Sequence, residues 1–180
     1  EKRGVEFISD QSVNFENGKL QTDNKADLNI DCRGVGAQDR FSDLRGVKGE
    51  MAIVRTKEVS LNRPVRIMHP RYPLYIVPRD DHHFMIGATE IESHDMDHVS
   101  VRSALELLSA LYAVHPSFGE ADIIEMGTHL RPAFSDNEPQ IFHESDQMAI
   151  NGLYRHGYLI APALAEEAGD ILADGLKIEK

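Results

Sequence analysis

The fold is decided by a stretch near the end of the sequence, Gly152-Leu153-Tyr154-Arg155-His156-Gly157-Tyr158-Leu159-Ile160-Ala161-Pro162-Ala163. Two glycines enclose an aromatic and an arginine, and an apolar run leads on into the helix-forming residues 165–168. Glycine allows a sharp backbone turn, and the start of a helix presents N–H groups and a positive dipole end to an anion. The stretch therefore predicts a strand, a turn and a helix. Its spacing leaves open whether the turn closes over a cofactor or only reverses the chain.

The composition is that of an ordinary globular protein. The 180 residues suit one domain or slightly more, and a hydrophobic share of 41% can supply a core. A net charge of −11 argues against binding to nucleic acid or to an anionic membrane, because both need a basic surface. Cys32 is the single cysteine, so the chain has no internal disulfide or thiolate zinc cluster, which fits a reducing cytoplasm. We find no apolar run of about 20 residues and no signal peptide.

Residues 1–45 are predicted to be extended. Residues 13–15 and 19–21 flank Asn17-Gly18, which indicates a hairpin, and residues 26–32 alternate apolar with polar side chains. The glycines at 34 and 36 do not form a dinucleotide-binding fingerprint, because Asp39 occupies the third glycine position and no helix is indicated there.

Residues 46–150 are predicted to form a second unit. Strands at 51–55, 65–69, 74–77 and 84–87 are separated by hairpin-length turns, so the sheet should be largely antiparallel. A helix is predicted from the N-cap Ser100 to His115, with one apolar face made of Ala104, Leu105, Leu108, Leu111, Tyr112 and His115. Further strands are predicted at 123–130, 140–142 and 148–151. The fold class is therefore α+β, with an antiparallel sheet and a flanking helix inserted into a discontinuous first domain, residues 1–45 and 151–180.

Three polar features are candidates for chemistry. Arg131 ends a predicted strand before Pro132, where its guanidinium suits a carboxylate, although a surface arginine in a weak ion pair is the alternative. Tyr75 is either a ligand-binding residue or a core tyrosine with its hydroxyl at the rim. Residues 82–83 and 94–98 contain four histidines, which raises zinc binding as an alternative function. Aspartates before a helix are favoured by its dipole, and no His-Glu-x-x-His motif is present, so we predict a solvated loop and no metal.

Several motifs resemble the glycine oxidase and D-amino-acid oxidase family. The quoted stretch resembles that family's C-terminal flavin-embracing motif Gly-x-Tyr-Arg-x-Gly-x-Leu-x-Ala-Pro-Ala. Tyr75-Ile76-Val77-Pro78-Arg79 and Ile86-Gly87-Ala88-Thr89 resemble a hairpin of its substrate domain, and Lys48-Gly49-Glu50 matches the entrance to that domain. Gly127-Thr128-His129-Leu130-Arg131-Pro132 resembles the segment whose arginine binds the substrate carboxylate. Together the matches cover nearly the whole chain.

The resemblance implies a function and a set of site residues. The function is FAD-dependent oxidation of the amine of glycine or another small amino acid to an imine, with oxygen as the final electron acceptor, in thiamine biosynthesis. The substrate carboxylate would be held by Arg131 with help from Tyr75, and Arg155 would shape the loop and face the substrate. The residues implied to contact FAD are Val13, Leu153, Tyr154, Arg155, His156, Gly157, Tyr158 and Leu159. Chemistry then belongs to the cofactor and positioning to the protein, so no catalytic triad or carboxylate pair is expected.

Two points depart from the family pattern. Glu90 stands where glycine oxidases can carry a methionine, and it either attracts the substrate ammonium or points to solvent. If residues 83–90 form one strand, alternation places Phe84, Ile86, Ala88 and Glu90 on one face. The sequence begins at Glu1 without the family's fingerprint, so we expect a C-terminal portion that needs an N-terminal FAD-domain segment and is inactive alone. A homo-oligomer remains open, and the alternative function is a non-catalytic ligand-binding or assembly module without flavin.

Overall fold

The computed structural model describes residues 4–17, 19–21, 26–68, 71 and 73–178, with side chains described as far as residue 174. It divides into two compact units, one made of residues 1–44 and 133–180 and the other of residues 45–132. Gly18, in the predicted hairpin turn, and His69 and Pro70, at the end of a predicted strand, lie outside the described residues.

The strands in chain order are β1 (Asn14–Glu16), β2 (Lys19–Gln21), β3 (Asn29–Asp31), β4 (Arg45–Arg55), β5 (Val65–Ile67), β6 (Leu74–Pro78), β7 (His83–Gly87), β8 (Asp122–Ala133), β9 (Gln140–Glu144) and β10 (Gln147–Asn151). The α-helices are α1 (Val101–Val114) and α2 (Gly157–Ile178), and short 3₁₀ turns occupy Gly34–Asp39 and Pro116–Glu120. The predicted α+β class with largely antiparallel pairing is confirmed.

The unit of residues 45–132 is a five-stranded sheet in the order β5-β6-β7-β4-β8. The β5–β6, β6–β7 and β7–β4 pairs are antiparallel. Short connections join β5 to β6 and β6 to β7, whereas β7 returns to pair with β4 across the two strands between them in the chain. Helix α1 packs against β4 and β7 on one face of the sheet. The core between them consists of Ala52, Val54, Val59, Leu74, Ile76, Phe84, Ile86, Leu107, Leu111 and Phe118.

The ends of α1 follow the sequence, and its buried face does so in part. Ser100 caps the helix by accepting a hydrogen bond from the N–H of Ser103 (3.2 Å), and Pro116 follows its end. Of the predicted apolar face, Leu111 is buried and Leu108 packs against the core, but the other buried positions are Ser103 and Leu107. Leu105 is 63% exposed. The buried face of α1 is therefore displaced by about one residue from its most apolar face, and the small Ser103 lies on the side that packs against the sheet.

The other unit contains a sheet in the order β3-β10-β9, with β10 parallel to β3 and antiparallel to β9. The strands β1 and β2 form a separate hairpin. Residues 133–150, which the sequence placed with the inserted unit, lie here because β10 pairs with β3, more than 110 residues earlier in the chain. Phe134 also packs with Ala37 and Leu44 in the core of this unit.

A charged cluster joins β3 to the segment before β1. Arg33 donates to Asp31 (2.9 Å) and Asp39 (2.7 Å), and it also donates to the carbonyl of Val13 (3.2 Å). The Arg33 hydrogen bond lowers the pKa of Asp39 to about 2. Phe15 N–H donates to the same aspartate (2.9 Å), so Asp39 anchors the hairpin.

The C-terminal helix begins earlier than predicted. The apolar run at residues 158–160, which was expected to lead into the helix-forming residues 165–168, is itself helical, since α2 starts at Gly157 and includes Pro162. The N–H groups of Leu159 and Ile160 both donate to the carbonyl of His156 (2.9 and 3.0 Å), which closes the first turn. An apolar run without a partner strand forms a helix, because the helix satisfies its backbone locally.

Candidate functional site

Arg131 on β8 rests on the backbone of Gly49 on β4. A Cβ atom added to Gly49 would lie 2.6 Å from Nη2 of Arg131 and 2.7 Å from its Cζ. Nη1 donates to the carbonyl of Thr89 (3.1 Å). The side chain is half-buried. Glycine at position 49 therefore leaves the space in which the guanidinium lies against the sheet.

Tyr75 lies on the same face of this sheet as Arg131. Ala52 and Val54 point into the core, so Gly49 and Met51 point to the opposite face. Met51 is opposite Gly87 on β7, and Gly87 is opposite Tyr75 on β6. Directly opposed residues share a face of a sheet, so Tyr75, Gly87 and Met51 form one row across it. This row lies beside Gly49, where the Arg131 guanidinium is found.

The row around Tyr75 is open. Tyr75 is 39% exposed, and the guanidinium of Arg66 on β5 lies 5.9 Å from the centre of its ring. Gly87 has no side chain between Tyr75 and Met51, which leaves a gap in the row. The alternative of a core tyrosine is excluded, because the neighbours that enter the core are Leu74 and Ile76.

Glu90 faces the opposite way from the prediction. Strand β7 ends at Gly87, and the chain pairs with β4 again at Ile91, which is opposite Lys48. Between these two pairs the chain advances four residues, from Gly87 to Ile91, while β4 advances only three, from Met51 to Lys48. The segment from Gly87 to Ile91 therefore contains one extra residue. A bulge of this kind reverses the alternation of side chains.

The reversal decides which residues at the end of the hairpin are buried. Thr89 is 1% exposed and continues the buried face, instead of Ala88 and Glu90. By the register Lys48↔Ile91, Glu90 stands opposite Gly49 and so shares its face, the one on which the Arg131 guanidinium lies. The structure therefore brings Arg131, Tyr75 and Glu90 onto one face of one unit.

Charged residues that the sequence analysis did not single out as site residues are buried on the other side of β4. Glu50 is fully buried, and Lys48 is 6% exposed. Lys48 Nζ lies 3.7 Å from Glu50 and 2.5 Å from Asp95. The hydrogen bond between Lys48 and Asp95 raises the pKa of Lys48 and lowers that of Asp95. The sequence contained a signal for this burial, because Lys48 and Glu50 alternate along the strand with the core residues Ala52 and Val54 and so point to the same face.

The quoted C-terminal stretch belongs to the other unit, together with Val13. Gly152 has φ +77, and a Cβ there would lie 2.4 Å from the ring of Phe134, so only glycine fits. Tyr154 also has a positive φ, 48. His156 N–H donates to the carbonyl of Leu153 (3.0 Å) and tightens the turn before α2.

The residues of this turn differ in exposure. Leu153, Tyr154 and His156 line an open cavity of 410 Å³, whose other lining residues are 137–139, Ile160, Ala163, Leu164 and Glu167. Gly157 is half-buried, whereas Arg155 is exposed and Leu159 is 79% exposed. Tyr158 is fully exposed.

These features fit a flavin. The N–H groups of Leu159 and Ile160 are used within the first turn of α2, so the surface that this turn offers to a flavin is the exposed side chains of Tyr158 and Leu159. The carbonyl of Val13, on the segment before β1, is held by Arg33. The residues that could hold FAD are therefore on one unit, and the candidate carboxylate site is on the other.

In the ranges that the structure describes, no three His, Cys, Asp or Glu side chains come together as a metal site. Among those same residues, no helix is long and apolar enough to cross a membrane.

Comparison with known proteins identifies the class. A family model described as FAD dependent oxidoreductase (DAO) matches residues 1–171, so the chain belongs to this family of flavoproteins, and the resemblance inferred from the motifs is confirmed. Over 147 residues the chain is 53% identical to a Rhizobium etli protein assigned as thiamine biosynthesis oxidoreductase ThiO, covering 82% of this chain and 45% of that protein. It is also 30% identical over 149 residues to a Bacillus licheniformis glycine oxidase, covering 81% and 38%.

The fold gives the same answer. The crystal structure of glycine oxidase from Bacillus cereus superposes with a TM-score of 0.74 at 25% identity, covering 90% of this chain and 48% of that one. The chain thus spans less than half the length of each of these relatives.

Proposed function

We propose that this chain is part of an FAD-dependent amino-acid oxidase of the glycine oxidase type, which oxidises the amine of glycine or another small amino acid to an imine in thiamine biosynthesis. The observation that carries the proposal is the face of the inserted sheet on which Arg131, Tyr75 and Glu90 lie. The similarity to ThiO and to glycine oxidases supports the same reaction class. The single cysteine of the chain, Cys32, is an exposed free thiol, which suits a reducing cytoplasm.

The substrate carboxylate binds Arg131. A guanidinium donates two parallel hydrogen bonds to a carboxylate, and the Thr89 carbonyl that accepts from Nη1 fixes its plane. The hydroxyl of Tyr75 donates a further hydrogen bond from the neighbouring row. These contacts hold the substrate in one orientation, which is the main contribution that a protein makes to a cofactor-borne reaction.

Glu90 and the C-terminal turn complete the assignment. Glu90 shares the face of Arg131 and attracts the substrate ammonium group, which favours the protonated amine. Val13 and residues 153–159 would hold FAD, and Arg155 would face the substrate. Bound FAD supplies the redox chemistry by accepting two electrons from the amine and passing them to oxygen.

The experiment is made on the full-length protein. We expect FAD to copurify and glycine to yield hydrogen peroxide. Arg131→Ala should weaken amino-acid binding by about 2–4 kcal/mol, because both charge-assisted bonds are lost and the carboxylate is left unpaired.

The matched control is Arg55→Ala, which removes an arginine of β4 whose partner is the exposed Asp122 (3.2 Å). This variant should keep wild-type affinity, since an exposed ion pair contributes little. A full-length protein without flavin would favour the non-catalytic module, and unchanged affinity in Arg131→Ala would show that this residue does not bind substrate.

A further inference from the structure

Glu50 is a buried carboxylate whose contacts lead to the candidate substrate site. It is fully buried in the middle of β4, where an ionisable side chain is costly unless its oxygens are hydrogen-bonded. Oε1 accepts from the N–H of Ser100 (3.0 Å), and Oε2 accepts from the hydroxyl of Thr89 (3.3 Å). Both carboxylate oxygens are therefore used.

Thr89 is held by Glu50 at three points. Its N–H donates to the carbonyl of Glu50 (3.1 Å), and its hydroxyl accepts from the N–H of Glu50 (2.9 Å). The same hydroxyl donates to the carboxylate. The remaining backbone group of Thr89, its carbonyl, accepts from Nη1 of Arg131 (3.1 Å). A continuous chain of hydrogen bonds thus runs from Glu50 through Thr89 to the guanidinium.

Lys48 pairs with Glu50, at the end of the hydrogen-bond series that is farther from Arg131. It lies between Glu50 and Asp95, so negative, positive and negative charges alternate. Asp95 also accepts from the hydroxyl of Ser93 (2.5 Å), in the segment that leads from Thr89 to α1. The cluster therefore ties the segment that follows Ile91 to β4, next to the pair formed by Lys48 and Ile91.

We propose that Glu50 and Thr89 are positioning residues that set the orientation of Arg131 for the substrate carboxylate. The inference rests on the proposed function, since it requires Arg131 to bind that carboxylate. The pairing with β4 is irregular between Gly87 and Ile91, so it does not by itself set the direction of the Thr89 carbonyl. The Glu50 carboxylate helps to set it by accepting a hydrogen bond from the Thr89 hydroxyl. The direction of the Thr89 carbonyl then sets the plane of the guanidinium.

The test is a double-mutant cycle on the full-length flavoprotein. The probe is glycolate, which carries a carboxylate but no amine, and its Kd is read from the change in the flavin absorbance. Thr89→Val removes the hydroxyl at nearly constant volume, and we expect the Kd to rise about tenfold, the loss typical of a hydrogen bond. Thr89→Ser keeps the hydroxyl and should stay within about twofold of wild type.

The cycle separates positioning from a purely structural role. In the Arg131→Ala background, Thr89→Val should change the Kd by less than about twofold, because the guanidinium it positions is gone. The matched control is Thr56→Val, which removes a buried hydroxyl on the same unit that accepts from the N–H of Glu58 (3.2 Å). Its Kd should equal that of wild type. If Thr89→Val does not fold, Glu50→Gln is measured in the same cycle with the same expectation.

The outcomes distinguish the two claims. If Arg131→Ala leaves the Kd unchanged, the proposed role of Arg131 in carboxylate binding fails, and this inference fails with it. If Arg131→Ala weakens binding but Thr89→Val and Glu50→Gln do not, only the positioning role is overturned. Additive effects of Thr89→Val and Arg131→Ala would also overturn it, since they would show that Thr89 acts independently of the guanidinium.

Discussion

Gly49 supports the guanidinium of Arg131, and we expect Gly49→Ala to weaken substrate binding while leaving the fold intact. The added methyl group would lie 2.6–2.7 Å from three guanidinium atoms, whereas ordinary contact begins at 3.4 Å. The guanidinium must therefore move outward by about 0.7 Å or more. A displacement of this size disturbs both hydrogen bonds of a bidentate pair, which is worth roughly 1.5–3 kcal/mol. We expect to lose about half of that, which raises the Kd roughly five- to tenfold.

Although Gly49→Ala should weaken substrate binding, we expect it to increase the free energy of unfolding. The clashing atoms are the end of a flexible side chain, and Gly49 does not have a positive φ, so alanine fits the strand backbone. Replacing glycine by alanine at such a position typically stabilises a protein by about 0.4–1 kcal/mol. The assay is glycolate titration of the full-length flavoprotein, together with its Tm and FAD content.

Gly169→Ala is the control for Gly49→Ala. Gly169 lies in α2 with no atom within 4 Å of an added Cβ, so this variant should raise the Tm and leave the Kd unchanged. A Gly49→Ala protein with wild-type affinity would refute the reasoning, because it would show that the position of the guanidinium on the sheet does not matter for binding.

Other variants test the remaining parts of the site and the fold. Tyr75→Phe keeps the ring but loses the hydroxyl, so the Kd for glycolate should rise by about three- to tenfold; an unchanged Kd would remove Tyr75 from the clamp. Glu90→Met should change the relative kcat/KM of glycine, sarcosine and a larger D-amino acid. It should also move the acidic limb of the kcat profile to lower pH, since the bound protonated amine loses a stabilising carboxylate; identical profiles would place Glu90 in solvent. Asp39→Asn should lower the free energy of unfolding by about 1 kcal/mol at neutral pH, after allowance for solvent screening. The folded pKa of Asp39 is about 2, below the ordinary 3.8, so its contribution is present above pH 3.8 and is lost as the pH falls towards 2. A difference between wild type and Asp39→Asn that persists below pH 2 would contradict the role of Arg33.

Local signals in the sequence predicted much of the inserted unit. The hairpin that pairs Tyr75 with Gly87 follows from two apolar stretches and a short turn, and Ser100 and Pro116 mark the ends of α1. The motif around Arg131 indicated a carboxylate site, and the site's residues stay predictions until they are tested.

Two failures of the sequence analysis, at Glu90 and at residues 133–150, share a physical cause. Both depend on partners that are far away in the sequence. The extra residue before Ile91 lies beside Thr89, which is bonded to Glu50, 39 residues earlier. The pairing of β10 with β3 spans an even longer separation. Periodicity reports which residues favour burial, but it does not report which partner buries them.

The inserted unit has its two ends close together. Residue 45 begins β4 and residue 132 lies at the end of β8, and these strands are neighbours in the sheet. A Cβ added to Gly46 would lie 3.0 Å from Leu130, so the entry and the exit of the insert are in contact. A segment whose two ends are adjacent can be inserted or replaced without moving the residues on either side of it. The face on which we propose the carboxylate site, built on β4, β6 and β8, can therefore vary without altering the segments on either side of the insert.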